Sequence, residues 1–289
     1  MLATIRNTEI FFEIHGAALE AVGPSLREKP VAFVSHGGPG ADHSIMRPGM
    51  DPLGEYSQVV YWDHRGQGRS ARGDISTYTL DENVEDLEAL RIHLGAPKIV
   101  SVGTSYGGMV AMAHAARYPH SVSKLLLIVT ASHYGFNKRA QEIIAARDIA
   151  EEKEITRQLW AGELTTEDAM RDYFRKTWPL YSTTFDESKR AKNEEALARA
   201  ILSPDALNRA FAPGGFLLSY DLRPELKKIT APTLILAGRN DWICAPEFSE
   251  EIHSLIPGSQ LKIFEKSSHS IRGDEPEEFH KTVREFITM

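Results

Sequence analysis

The stretch IVSVGTSYGGMVAMAHAARY, residues 99–118, decides the fold. Ile99 to Gly103 reads as a strand buried on both faces of a parallel sheet. From Tyr106 to Tyr118 the residues are small and apolar, with Ala111, Ala113, Ala115 and Ala116, and Pro119 follows. That predicts a helix with a defined stop. Between strand and helix stands Gly103-Thr104-Ser105-Tyr106-Gly107, a G-x-S-x-G pattern with Gly108 behind it. A serine at a sharp strand-to-helix turn needs neighbours without bulk, and the flanking glycines meet that need. The helix start also aims backbone N–H groups at the serine. An ordinary Gly-rich turn with an incidental serine is the plain alternative. The strand before it and the helix after it favour a nucleophile.

Outward from this turn the pattern repeats. Upstream, Val31 to Ser35 and Val59 to Trp62 are buried-strand runs, ending at His36-Gly37-Gly38-Pro39-Gly40 and Asp63-His64-Arg65-Gly66. Thr8 to His15 alternates loosely, and Glu20 to Lys29 reads as a polar hairpin or loop. Thr79 and Glu82 have capping-box spacing ahead of a stripe through Val84, Leu87, Leu90 and Leu94, closed by Gly95 and Pro97. Downstream, Leu125 to Thr130, Thr233 to Ala237 and Leu261 to Phe264 have strand character, and Phe279 to Ile287 closes the chain as an amphipathic helix. Strands alternating with helices give an α/β fold, a mostly parallel sheet flanked by helices with right-handed crossovers. From His133 to Leu222 no buried strand is evident. The text there is charged, Ala-rich and punctuated by Pro179, Pro204 and Pro213. We expect a catalytic domain of residues 1–132 and 223–289 interrupted by a helical cap, 133–222.

Composition narrows the function classes. The chain has 289 residues, 42% of them apolar and 25% charged, with a net charge of −7. Those are globular proportions, and disorder is excluded. No basic run supports nucleic-acid binding or a membrane anchor. The longest aliphatic run, Leu125 to Val129, is too short to span a bilayer. The N-terminal residues carry Arg6, Glu9 and Glu13 where a signal peptide needs an apolar stretch. The expectation is a soluble, cytoplasmic protein. One cysteine, Cys244, excludes an intrachain disulfide and a cysteine-cluster metal site. Cys244 itself reads as a buried or semi-buried structural thiol.

A serine hydroxyl is a weak nucleophile at neutral pH, so it needs a base, and the base needs an orienting partner. In this chain order the acid and then the base stand at the ends of later strands. The run Thr233 to Ala237 leads to Asp241, and Leu261 to Phe264 leads to His269. His253 and His280 fall within helical segments and read as surface or packing residues. Acyl transfer builds an oxyanion that needs two fixed donors. The N–H of Tyr106, after the nucleophile, is one, and Gly38 in the glycine loop supplies the other. Gly37 and Trp242, each beside a predicted site residue, are expected to touch substrate. Tyr106, Trp160, Trp178, Tyr181, Phe211, Phe216 and Trp242 are candidates for an apolar pocket.

Together, the His-Gly-Gly-Pro-Gly loop, Asp63-His64-Arg65-Gly66-Gln67-Gly68-Arg69-Ser70, the Ser105 turn, Asp241 and His269 resemble the α/β-hydrolase superfamily. Within it they resemble the proline iminopeptidase family of serine peptidases, over most of the chain outside the cap. The resemblance implies release of an N-terminal residue, preferably proline, from a short peptide, with no metal or other cofactor. It gives residues 63–70 an architectural role near the oxyanion loop. It also implies acidic side chains for the substrate ammonium, some from the cap and often one directly after the catalytic aspartate. Here that position is Trp242, and the cap holds 15 acidic against 13 basic residues. Glu163, Glu167, Glu187, Glu194 and Glu195 are the candidate partners, with a solvated helix face as the commoner fate of each. The alternative is a carboxylesterase, lactonase or amidase for small apolar acyl substrates. A cap carboxylate pointing into the pocket separates the two.

Overall fold

The computed structural model describes all 289 residues. Eight strands form one sheet. They are β1 (Leu2–Ile5) and β2 (Thr8–His15), then β5 (Val31–Ser35), β6 (Gln58–Trp62) and β7 (Ile99–Thr104), and finally β8 (Val122–Ile128), β9 (Thr233–Gly238) and β10 (Gln260–Phe264). The other two, β3 (Leu19–Val22) and β4 (Ser25–Glu28), make the separate polar hairpin. The sheet order is β1-β2-β6-β5-β7-β8-β9-β10. Every pairing from β6 to β10 is parallel, while β1 and β2 add an antiparallel edge. β7 and β9 are buried at every residue, which is why their sequences do not alternate.

Strand order positions the site. The chain runs from β5 to β6 on one side, then returns to place β7 on the other side of β5. The loops after β5 and β7 therefore diverge at their carboxyl ends and leave a crevice between them, the usual place for a ligand in such a sheet. The loops after β9 and β10 reach the same end of the sheet.

Two helices leave the first half of the sheet, α1 (Leu80–His93) and α2 (Tyr106–Arg117). Thr79 caps α1 by accepting from the Glu82 N–H, and the stripe through Val84, Leu87 and Leu90 is buried. Between β8 and β9 come α3 (Gly135–Ala146), α4 (Ala150–Ala161), α5 (Glu167–Tyr181), α6 (Glu187–Arg199), α7 (Pro204–Phe211) and α8 (Arg223–Leu226). The rest are α9 (Pro246–Leu255), α10 (Ile271–Asp274) and α11 (Pro276–Thr288). The two ends of the inserted stretch are stitched together: His133 and Asp221 form a bridge, and the Leu222 N–H donates to the Ser132 carbonyl.

Three details differ from the sequence reading. β1 was not evident, because four residues with a single buried side chain carry too little pattern. β8 runs over Val122–Ile128 rather than Leu125 to Thr130. Val129 takes φ 44°, and the Thr130 hydroxyl donates to the Ser105 carbonyl at 2.8 Å, so the strand ends where it meets the serine turn. Pro179 does not break a helix: it sits in the last turn of α5. Pro204, by contrast, opens α7, where a missing N–H costs nothing.

Candidate active site

Ser105 stands between β7 and α2 at φ 55° and ψ −121°. Sterics forbid this conformation to most side chains, and the surroundings enforce it. A Cβ on Gly103 would lie 2.2 Å from the Gly107 carbonyl oxygen, and one on Gly107 would lie 2.1 Å from that of Ser35. The glycines are required because β5, β7 and α2 approach backbone to backbone at this turn. The Ser105 N–H donates to the Ile128 carbonyl at 2.9 Å, which fixes the turn from the other side.

Asp241 follows β9, and its side chain is fully buried. One carboxylate oxygen accepts from the N–H groups of Ile243 (2.9 Å) and Cys244 (3.0 Å). The other meets His269 Nδ1 at 2.7 Å. The carboxylate is thus held rigid, with its second oxygen committed to the imidazole. That contact assigns a proton to Nδ1 and leaves Nε2 as the acceptor. Ser105 and His269 line the same cavity, and the Ser105 hydroxyl also lies beside the Cys244 thiol. Burial pushes that thiol far above its ordinary value, so it stays protonated.

The glycine loop after β5 lies against the serine. A Cβ on Gly37 would sit 3.3 Å from Ser105 Cβ, and Gly38 takes φ 123°. No acceptor in the chain takes the Gly38 N–H, and Gly38 lines the cavity. The Tyr106 N–H opens α2, so it has no intrahelical acceptor. His36 Nδ1 donates to the Gly37 carbonyl at 2.7 Å, and its Nε2 accepts the His64 N–H at 3.3 Å. Gln67 accepts the Gly40 N–H at 2.7 Å, and Asp63 accepts those of His43 and Arg69. Residues 63–70 therefore brace the glycine loop from behind.

The cavity measures about 280 Å³ and is lined by 28 residues, 18 of them hydrophobic. Helices α3 to α7 supply much of its wall, including Phe136, Leu159, Tyr173, Trp178 and Phe211. No aspartate or glutamate lines it, and the one lysine or arginine that does is Arg272. The five candidate ammonium partners are elsewhere. Glu163 pairs with Arg157, Glu167 with Arg171, Glu187 with Arg190 and Glu194 with Arg175, while Glu195 is exposed.

Two expectations about aromatic residues are corrected here. Trp242 does not reach the cavity; it is 3% exposed and packs edge-on against Trp160 and Tyr181. The cause is the turn that caps Asp241, which brings Ile243 and Cys244 to the wall and turns Trp242 away. The Tyr106 ring is likewise core, 1% exposed, with its hydroxyl accepting from Asn83 at 2.6 Å. Of the other aromatic candidates, Trp178, Tyr181 and Phe211 line the cavity, and Trp160 and Phe216 do not. Phe136, Tyr173, Phe174, Cys244 and Arg272 were missed as wall residues. Arg272 and Cys244 left a positional signal, each three residues after a predicted site residue, His269 and Asp241.

No group of three or more His, Cys, Asp or Glu is placed to hold a metal, and no helix is long and apolar enough to cross a membrane. Residues 33–276 match the family described as alpha/beta hydrolase fold, and the chain belongs to that family. Among its relatives it resembles proline iminopeptidases. It is 27% identical over 285 residues to the "Proline iminopeptidase PfmaB" of Pestalotiopsis fici, covering 96% of this chain and 98% of that one. It is 31% identical over 258 residues to the proline iminopeptidase of Saccharolobus solfataricus, covering 87% and 83%. The enol-lactonase of Burkholderia xenovorans superposes with a TM-score of 0.78 over the whole of both chains at 22% identity, a likeness of fold.

Proposed function

We propose that the protein is a serine hydrolase for small, largely apolar acyl substrates that carry no ammonium group, an esterase, lactonase or amidase. Ser105 attacks the carbonyl carbon while His269 Nε2 takes its proton. Asp241 holds the imidazole in the right tautomer and favours the imidazolium that forms. The N–H groups of Gly38 and Tyr106 stabilise the oxyanion. His269 then gives its proton to the leaving oxygen or nitrogen, and water repeats the sequence to free the acid and restore Ser105. In this reading residues 133–222 are a cap that selects the acyl group, and the partner is a small-molecule substrate.

The observation that carries the substrate class is the wall. It is mostly hydrophobic and has no carboxylate, while its one arginine would repel an ammonium. Burying a substrate ammonium there without a partner would be strongly unfavourable. A second reading, a proline iminopeptidase acting on short peptides, is favoured by the sequence relatives. A fluorophosphonate probe and a short acyl aryl ester test the first reading. One adduct on the Ser105 peptide and ester turnover are expected, both lost in Ser105→Ala. Ester turnover that survives in Ser105→Ala overturns it.

A further inference from the structure

Arg272 is the charged group that the hydrolytic cycle leaves unused. It lies on α10, three residues beyond His269, and lines the same cavity as Ser105. Its stem passes directly over Gly49: a Cβ there would meet Arg272 Cδ at 3.0 Å and Nε at 3.1 Å. The glycine gives the side chain room to reach the wall. At the far end, one guanidinium nitrogen donates to the Ile45 carbonyl at 2.9 Å. That is its only hydrogen bond. No carboxylate lies within ion-pair distance, in a chain where most arginines have one. The neighbouring acids are engaged elsewhere. Asp274 accepts from Ser182, Thr184 and the Ser268 N–H, and Glu275 accepts from Ser267 and the Lys266 N–H. Asp51 is taken by Arg47 and Tyr61.

A guanidinium offers five donors in a planar fork that fits a carboxylate. Four of those donors are unspent here, and burial already disfavours the charged form. A partly shielded cation without an anion is costly for the fold alone, and it becomes favourable when a ligand supplies the anion. The wall has a single arginine or lysine in a mostly hydrophobic lining, which suits one negative charge. A phosphate dianion would call for more donors.

We propose that Arg272 binds a carboxylate of the substrate, so that the acyl compound hydrolysed at Ser105 is a monoanion bearing its carboxylate away from the scissile carbonyl. The proposal rests on the serine-hydrolase reading above and sharpens its substrate class. The test compares two aryl esters of equal length, a hemiglutarate and its neutral pentanoate counterpart, in wild type, Arg272→Met and Arg272→Lys. The ratio of kcat/KM, anionic over neutral, is expected to fall on the order of 10- to 100-fold in Arg272→Met, the size of one charge-assisted pair. Arg272→Lys keeps the charge but loses the fork, and its ratio falls in between. An unchanged ratio in both variants overturns the proposal, as does a neutral ester preferred by wild type. Binding is read apart from chemistry by thermal shift of Ser105→Ala protein with glutaramate, the monoamide with one carboxylate, against neutral glutaramide. Stabilisation by glutaramate alone supports the anion site even if no ester is turned over. Equal response to both ligands contradicts it, whatever the state of the Arg272 variants.

Discussion

Ser105, Asp241 and His269 differ in what holds them. Ser105 is held by backbone: a positive φ, two glycines whose replacement would collide with carbonyl oxygens, and an N–H bonded across to β8. Asp241 is held by two N–H donors on one oxygen, which leaves the other free to orient the imidazole. Asp241→Asn keeps the size but offers an amide in place of the second carboxylate oxygen. It can favour the wrong histidine tautomer, with the proton on the nitrogen that must accept from Ser105. We expect a loss in kcat of about 10⁴-fold with little change in melting temperature. Steady-state kinetics beside a melting curve checks this, and a loss below about tenfold would contradict the role of Asp241. The positions of all three were legible because each follows a run with strand character. Trp242 was misread because adjacency in sequence does not fix direction: the cap on Asp241 turns the next residue away from the cavity. Arg272 and Cys244 gave no chemical motif, and only the folded chain brings them beside Ser105.

At the scale of elements, strands were easier to read than the helices laid over them. β5, β7 and β9 are buried on both faces, so composition alone marks them. The helices α3 to α7 divide their residues between solvent and cavity, and sequence does not say which apolar residue faces which. Their acids were partly legible. Glu167 and Glu187 have arginines four and three residues on, the spacing of a solvated helix pair, and that is where they are found. Glu194 pairs with Arg175 across two helices, which no local spacing reveals. The end of α5 is tied to the histidine loop. The Ser270 N–H donates to the Tyr181 carbonyl, the Ser268 hydroxyl donates to that of Leu180, and the Tyr181 ring stands edge-on to His269 at 5.4 Å. The helix that walls the cavity therefore also steadies His269.

Taken whole, the molecule buries several histidines in neutral form. Burial holds His36, His64 and His114 below the ordinary imidazole value. In the unfolded chain they return to about 6.5. Between the folded and unfolded values the unfolded state binds more protons, so stability is full above about 6.5 and falls as the pH drops through that window. Glu88 acts in the same direction lower down: burial opposes its charge, but Arg91 and His114 hold it down to about 2, so its contribution is lost below the usual carboxylate range. The urea midpoint is therefore expected to be lower at pH 5.5 than at pH 7.5. An equal or higher midpoint at pH 5.5 would show that these histidines do not stay neutral in the fold.

The central claim concerns the same cavity seen as one surface: it can hold an acyl group but offers a substrate ammonium no partner. The most direct measurement is the ratio of kcat/KM for prolyl arylamide over its N-acetylated counterpart, in which an uncharged acetamide replaces the ammonium. An aminopeptidase would hydrolyse only the free amine. The carboxylate-free wall predicts a ratio at or below one, with a short acyl ester turned over in the same preparation. A free prolyl arylamide hydrolysed about a hundredfold faster than the blocked one would contradict the account.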